Sequence, residues 1–184
     1  MTSRKAFAAG AFAVSLLGAG LVPAHADTIS AMPDETGKSI FYTPCNPSEE
    51  ASECLVYMIT CQPNEVYGSG LELTVISQGD GEQPDVLPLA RSFLDKPYGE
   101  QKLAFGIGGK AVEIPVNAVI VYGNELNGGW DLSLRSMDPG AFYDALTDAS
   151  SGSVSAAVGS FTAQLADTKD EGAALMKFKK ACTE

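Results

Sequence analysis

The side chains in this chain best suited to specific chemistry are four cysteines. They are Cys45, Cys54, Cys61 and Cys182, and no two of them form a Cys-x-x-Cys pair. That spacing argues against a redox-active pair, and the chain has no set of histidines that would complete a Cys/His zinc site. We therefore interpret all four cysteines as disulfide partners.

Alternation along a strand suggests how these cysteines pair. Cys54 and Cys61 are seven residues apart, so they point to opposite faces of one strand and belong to different bridges. Cys45 closes the preceding apolar run and faces Cys54 across a hairpin, which leaves Cys61 for Cys182. This second bond closes a loop of roughly 120 residues, worth on the order of 5 kcal/mol in the chain-entropy model. Four cysteines permit three connectivities, and the sequence does not select among them.

Residues 1–26 have the pattern of a secretory signal. Arg4 and Lys5 precede an apolar run, residues 6–22, and small residues before Asp27 predict cleavage after Ala26. The segment has no cysteine near its end, so we expect no lipid anchor. No later apolar run is long enough to span a bilayer. We expect a mature protein of 158 residues in the bacterial periplasm or outside the cell, where disulfides persist. The alternative is a retained N-terminal membrane anchor.

Removal of the signal changes the charge and the available chemistry. It takes away two of the 12 basic residues and none of the 23 acidic ones, so the net charge goes from −11 to −13. It also takes away His25, the only histidine, and with it Ser/His/Asp catalysis, Cys/His catalysis and histidine-ligated metal sites. The acidic charge opposes binding to nucleic acid and anionic lipid. It favours a cationic protein or small-molecule partner, or serves solubility alone.

Carboxylates are the remaining candidates for catalysis or metal binding. Two acidic side chains facing each other in a groove would support glycan hydrolysis, an alternative that stays open. Asp80, Glu82 and Asp85 lie on a glycine-rich break whose composition is typical of weak calcium sites, although their spacing differs from that of an EF-hand loop. We predict no catalytic residue, no metal site and no cofactor.

The apolar pattern predicts mainly strands. We expect a flexible N-terminal arm at residues 27–37 and a single β-rich domain at 38–184, built on a hairpin from Ser39 to Cys61. The Gly108-Gly109 turn indicates a second hairpin, and 118–122 reads as a buried strand because it is continuously apolar. The other predicted strands are 71–77, 130–137 and 154–158.

Two helices are predicted. Asp138 and Pro139 form a typical helix start, with Asp138 as the cap. Near the end of the chain, Leu175, Phe178 and Cys182 recur at helical spacing. The segment 85–98 is interrupted by prolines and is left unassigned, with room for a short helical piece at most.

Two features are candidates for a binding surface. Trp130, the only tryptophan, shares a strand face with Leu132 and Leu134, so we expect it in the core, with exposed ligand stacking as the alternative. A flexible segment able to enter a cleft is formed by Ser150, Ser151, Gly152 and Ser153.

The order of elements over residues 101–182 resembles a known group of proteins. A glycine-turn hairpin, two strands, a helical segment containing Asp144, Ala145 and Leu146, a short strand and Gly159–Leu165 (GSFTAQL) follow one another. This order is similar to that of small exported alphaproteobacterial proteins of the invasion-associated locus B type. The resemblance implies a β-rich periplasmic or secreted domain that acts in host-cell or envelope interaction, with no catalytic residues to transfer.

The predicted fold class is α+β. It is mainly antiparallel β, as a sandwich or partly closed barrel, with two short helices and disulfide bonds. The predicted function is non-enzymatic binding of a protein or small molecule at the cell envelope or host interface. The alternatives are an acidic inhibitor of a cationic lytic enzyme such as lysozyme, and a carboxylate-based glycan hydrolase.

Overall fold

The computed structural model describes residues 30–43, 55–64, 68–77, 86–125, 128–146 and 152–184, which form two antiparallel sheets and three helices. The strands are β1 (Ser30–Pro33), β2 (Ser39–Thr43), β3 (Val56–Asn64), β4 (Gly68–Ile76), β5 (Lys102–Ile107), β6 (Lys110–Pro115), β7 (Ala118–Gly123), β8 (Trp130–Ser136), β9 (Val154–Val158) and β10 (Phe161–Ala166). The helices are α1 (Leu87–Leu94), α2 (Gly140–Ala145) and α3 (Lys169–Thr183). The predicted mainly antiparallel α+β class is confirmed, with one short helix more than expected.

The larger sheet has the strand order β1-β2-β3-β4-β8-β7. The predicted hairpin is confirmed, because β2 pairs antiparallel with β3 and places Ile40 opposite Ile59 and Tyr42 opposite Tyr57. All four of these side chains are buried, as the alternation of the two strands requires. The predicted strand at 71–77 is also confirmed as part of β4.

The segment predicted as a flexible N-terminal arm, residues 27–37, contains a strand in its described part. Residues 30–33 form β1, which pairs with β2 and places Pro33 opposite Ile40. Ladder hydrogen bonds between main chains do not require an apolar sequence, so the polar composition did not reveal this strand. A hydrogen bond closes the turn after it: the Gly37 amide donates to the Asp34 carbonyl at 3.1 Å, with Gly37 at a φ of 72°.

The smaller sheet has the order β10-β9-β5-β6. Its β5–β6 hairpin is confirmed, and both turn residues, Gly108 and Gly109, have the positive φ that a two-residue turn of this kind needs. The strand at 154–158 is confirmed as β9. β10 was not predicted, and its pairing with β9 has a register shift between Gln164 and Ala166.

The two sheets pack face to face and share one apolar core. Tyr57 of β3 joins them: its ring makes an edge contact with Phe161 of β10 at 5.7 Å, and its hydroxyl donates to the carbonyl oxygen of Gln164. Tyr42 stacks on Tyr57 at 5.1 Å. Because the sheets are separate, the arrangement is a sandwich rather than a closed barrel.

Helices α1 and α2 each have a proline at their N-terminal end. In α1, Pro88 occupies the first turn, where its missing N–H costs no hydrogen bond, so the helix begins before this proline rather than after it. The predicted cap of α2 is wrong: Pro139, not Asp138, is the N-cap residue, and no side chain caps the helix. The residue before a proline favours extended backbone, which keeps Asp138 outside the helix.

Helix α3 confirms the C-terminal stripe and attaches it to the larger sheet. Leu175, Phe178 and Cys182 are buried, and Thr168 with Glu171 forms a capping box at the start of the helix. The predicted Cys61–Cys182 disulfide is present, with 5.7 Å between the Cα atoms and a sequence separation of 121.

Several predictions concern residues outside the described ranges. They are the signal at 1–26, the pairing of Cys45 with Cys54, and the acidic break with Asp80, Glu82 and Asp85. Within the described ranges, no helix is long and apolar enough to cross a membrane.

Candidate functional site

Exposed apolar side chains gather around β7. Ile120 and Tyr122 on this strand are 37% and 43% exposed, and Trp130, opposite Gly123, is 49% exposed. At the other end of the strand, the exposed Met137 donates its amide to the Asn117 side chain at 2.7 Å. We call Ile120, Tyr122, Trp130 and Met137 the β7 rim. Strand alternation places Ile120 and Tyr122 on the outer face of the sheet and Trp130 on its core-facing side, so the rim lines both sides of this edge, and clustered exposed apolar side chains are candidates for binding.

Helix α1 lies next to the same strands, on the side away from Ile120 and Tyr122. It contacts β7 and β8, and its inner residues Leu89, Ala90 and Phe93 belong to the core. The helix therefore covers the core-facing side of this strand pair. Its outer residues Leu87 and Leu94 are exposed, so six of the eight large hydrophobic side chains exposed in the described chain lie on β7, on α1 or next to them.

The structure corrects two predictions about this region. The continuously apolar strand at 118–122 is an edge strand, not a buried one, because the larger sheet ends at β7 among the residues that the structure describes. Trp130 is not in the core, although Leu132 and Leu134 on the same face are buried. Trp130 stands at the first position of β8, beyond the part of the strand that packs in the core.

A row of polar side chains crosses the outer face of the larger sheet beside the β7 rim. Glu72 of β4 lies opposite Arg135 of β8. Its carboxylate accepts a hydrogen bond from the Ser133 hydroxyl at 2.5 Å and pairs with the Arg135 guanidinium, whose Nε is 3.1 Å from Oε2. Glu72 and Ser133 are buried, which makes these interactions stronger than they would be in water.

Asp131 continues this row toward Tyr122. The side-chain amide of Asn124 donates to both oxygens of Asp131, at 3.1 and 3.2 Å. The backbone amide of Ser77 donates to one of these oxygens at 3.3 Å. Asp131 is opposite Tyr122 in the β7–β8 ladder. Burial first, and then the charges of Asp131 and Glu72, raise the pKa of Tyr122, while Arg135 acts in the opposite direction. The charges of Asp131 and Glu72 therefore act on Tyr122 of the β7 rim.

This electrostatic arrangement gives the first testable prediction. We expect Asp131→Asn to lower the pKa of Tyr122 toward the ordinary tyrosine value of about 10, because one of the charges that oppose ionisation is removed. Asparagine still accepts the hydrogen bond from Ser77. The phenolate should then form at lower pH than in the wild type, which an NMR titration of ring-labelled tyrosine would measure.

The matched control is Asp138→Asn, at an exposed position that is not among the causes of the Tyr122 shift. It should leave the titration of Tyr122 where it is. An unchanged Tyr122 pKa in Asp131→Asn would show that the Asp131 charge does not act on this ring.

The predicted binding segment at 150–153 lies elsewhere. Ser150 and Ser151 fall outside the described residues. The Ser153 carbonyl accepts from the Gly108 amide at 3.3 Å, and its hydroxyl accepts from the Gln164 side chain at 2.8 Å. Gly152 lies close to Gly108 as well. This end of the segment is thus attached to the smaller sheet, and no hydrogen bond or ring contact described in the structure joins it to Trp130.

The polar row was not predicted as a site, although part of its signal was present. Alternation places Asp131, Ser133 and Arg135 on one face of β8. It places Glu72 on the side of β4 that faces away from its apolar residues. The missing information was the pairing of β4 with β8, which joins positions about sixty residues apart. In the described part of the chain, no group of three or more histidine, cysteine, aspartate or glutamate side chains could hold a metal ion.

Comparison of the chain with protein-family models, curated proteins and solved structures finds no match.

Proposed function

We propose that this chain is an exported, non-enzymatic protein that binds a basic protein partner through the β7 rim. The observation that carries the proposal is the position of exposed apolar side chains next to carboxylates that are held in place. Apolar groups supply binding free energy when they are buried, and fixed charges select the partner and speed its approach.

The charge of the whole chain supports a basic partner. With a net charge of −11, the protein attracts cations over a distance and repels other acidic molecules. Around the rim, Asp131 is held by Asn124 and Ser77, so little ordering is required when a partner arrives.

Export is the part of the proposal that rests on the leader and the disulfide. A signal of the kind predicted at 1–26 sends a protein to the compartments in which a bond such as Cys61–Cys182 persists. A site of action at the cell envelope or host interface agrees with the resemblance to the invasion-associated locus B type.

The two alternative functions differ in how the polar row supports them. An inhibitor of a cationic lytic enzyme such as lysozyme is a special case of a basic partner, and the same rim would serve it. A glycan hydrolase would need two carboxylates free to exchange protons. Here Glu72 is ion-paired with Arg135 and Asp131 accepts three hydrogen bonds, and both carboxylates are buried, an arrangement that suits fixed charges rather than proton exchange.

Site-specific cross-linking tests the proposal. Tyr122 is replaced by the photoreactive p-benzoylphenylalanine in the full-length exported protein, and cells and host extracts are irradiated. We expect an adduct with a basic protein. Once purified, this protein should bind the wild type with an affinity that falls at least about tenfold as salt is raised. Lysozyme is included as a defined basic candidate.

The matched control carries the same photoreactive group at Thr162, an exposed position of β10 on the smaller sheet. Equal labelling from Thr162 and Tyr122 would contradict the proposed surface. An acidic partner, or an affinity that does not respond to salt, would contradict the proposed partner chemistry.

A further inference from the structure

The four sheet edges differ in how well they are protected against pairing with another strand. β1 is only four residues long and ends in Pro33. β6 contains Lys110, Glu113 and Pro115. β10 has a register shift near Gln164 and is packed by α3. Short length, charges, prolines, bulges and covering helices are the usual means by which natural edge strands avoid association.

β7 has only one of these features, since helix α1 contacts it, and this helix lies on the core-facing side of the strand. Its sequence, AVIVYG, contains no charge and no proline, and its pairing with β8 runs in regular register over all six residues. In the part of the chain that the structure describes, the larger sheet ends at this strand. An apolar, regular and unprotected edge is the feature that peptide-binding sheets use to accept an added strand.

The backbone groups available at this edge follow from the hairpin. Just beyond β7, the backbone N–H of Asn124 donates to the Gly129 carbonyl at 3.0 Å and so points toward β8. Because successive residues of a strand alternate in direction, Ile120 and Tyr122 also bond to β8. Val119 and Val121 therefore direct their N–H and C=O groups outward, away from the sheet.

Acidic groups lie near both ends of this edge. Glu125 follows β7 by two residues, Asp131 lies opposite Tyr122, and Asp138 follows Met137 at the other end. The only cation in the described ladder, Arg135 opposite Ala118, is ion-paired with Glu72. An incoming strand with basic ends and an apolar centre would match this pattern.

The same charges argue against a second copy as the occupant. Antiparallel pairing of two β7 strands would place Glu125 and Asp131 of one copy beside Asp138 of the other. Parallel pairing would place each acid beside its own counterpart. Both arrangements bring like charges together, between chains that each carry a net charge of −11.

We propose that β7 accepts an extended segment of the basic partner as an added β-strand, with apolar residues at the centre of this segment and lysine or arginine at both ends. This inference rests on the proposed function and specifies its binding mode. The outward main-chain groups of Val119 and Val121 supply the hydrogen bonds, and Ile120 and Tyr122 contact the apolar centre.

Amide hydrogen exchange with defined peptides tests this mode. The probe is a synthetic peptide of three Val-Thr pairs between two lysines at each end. We expect it to slow exchange of the Val119 and Val121 amides by at least about tenfold. The Ile120 and Tyr122 amides, which already bond to β8, are the internal control and should not change.

Two matched peptides separate the contributions. A version with glutamates at the ends should bind at least about tenfold more weakly, because it meets Glu125, Asp131 and Asp138 with like charge. A version with proline in place of the central threonine should give no protection, since proline interrupts the ladder.

Protein variants test the edge itself. Val121→Pro removes an outward amide at a position where an edge strand tolerates proline and should abolish protection, whereas Val121→Thr keeps the amide and should retain it. Should the proline variant not fold, Ile120→Lys is the substitute. It adds the charge with which natural edges are protected, and Met32→Lys on the opposite edge strand is its control.

The outcomes distinguish this mode from the proposed function. Cross-linking at Tyr122 without protection of Val119 and Val121 by the lysine peptide would leave the surface in place and overturn strand addition. Equal binding of the lysine and glutamate peptides would overturn the charge pattern. Protection of these two amides in the free protein, increasing with protein concentration, would show that a second copy occupies the edge.

Discussion

Replacing both Cys61 and Cys182 by serine should lower the free energy of unfolding by about 5 kcal/mol. The bond between them spans 121 residues, and in the chain-entropy model a loop of this length strongly restricts the unfolded chain. Both positions are buried, so the serine hydroxyls add a further cost. Urea unfolding followed by far-ultraviolet circular dichroism would measure the change.

The control is Thr183→Ser, an exposed position next to Cys182 on α3, which should change stability by less than about 0.5 kcal/mol. A loss below about 2 kcal/mol in the double serine variant would show that α3 remains attached to the sheet by packing alone. The main role assigned to this disulfide would then be wrong.

Phe178→Ala should destabilise the protein by about 3 to 5 kcal/mol. Phe178 is fully buried on α3, and its ring lies 6.4 Å from that of Tyr143, which continues a chain of aromatic contacts through Phe142 to Phe105 of the smaller sheet. Truncation leaves a cavity where the helix meets both sheets. The same urea unfolding experiment would measure the loss.

Lys177→Ala is the matched control, because it is the neighbouring residue on α3 and its side chain is exposed. It should change stability by less than about 0.5 kcal/mol. Similar losses in the two variants would show that the packing of α3 against the aromatic contacts contributes little to stability.

Local elements of the fold could be predicted from the sequence because each depends on residues close together in the chain. The β5–β6 turn needs two residues with positive φ, and Gly108-Gly109 provides them. The apolar stripe of α3 is visible at helical spacing. The Cys61–Cys182 bond was among the predicted pairings, because alternation placed Cys61 on the opposite face from Cys54.

The candidate binding surface could be predicted only in part. Trp130 was a candidate for the binding surface, but the strand face that it shares with Leu132 and Leu134 predicted burial in the core. That prediction failed because burial also depends on how far the opposing layer extends along the strand. The segment 118–122 was predicted to be buried because it is continuously apolar, and apolar composition alone does not distinguish a central strand from an edge strand. Glu72 and Ser133 were not connected, because they meet only through the pairing of β4 with β8.

The hairpins, the C-terminal helix, the acidic charge and the cysteines can be read from the sequence, because they follow from local backbone preferences and composition. The strand at the end of the larger sheet, and with it the exposure of β7 beside Asp131 and Trp130, is fixed by the folded arrangement of the described strands. Strand order depends on the packing of the whole sandwich, in which segments far apart in the chain compete for the same neighbours. No local pattern contains that information.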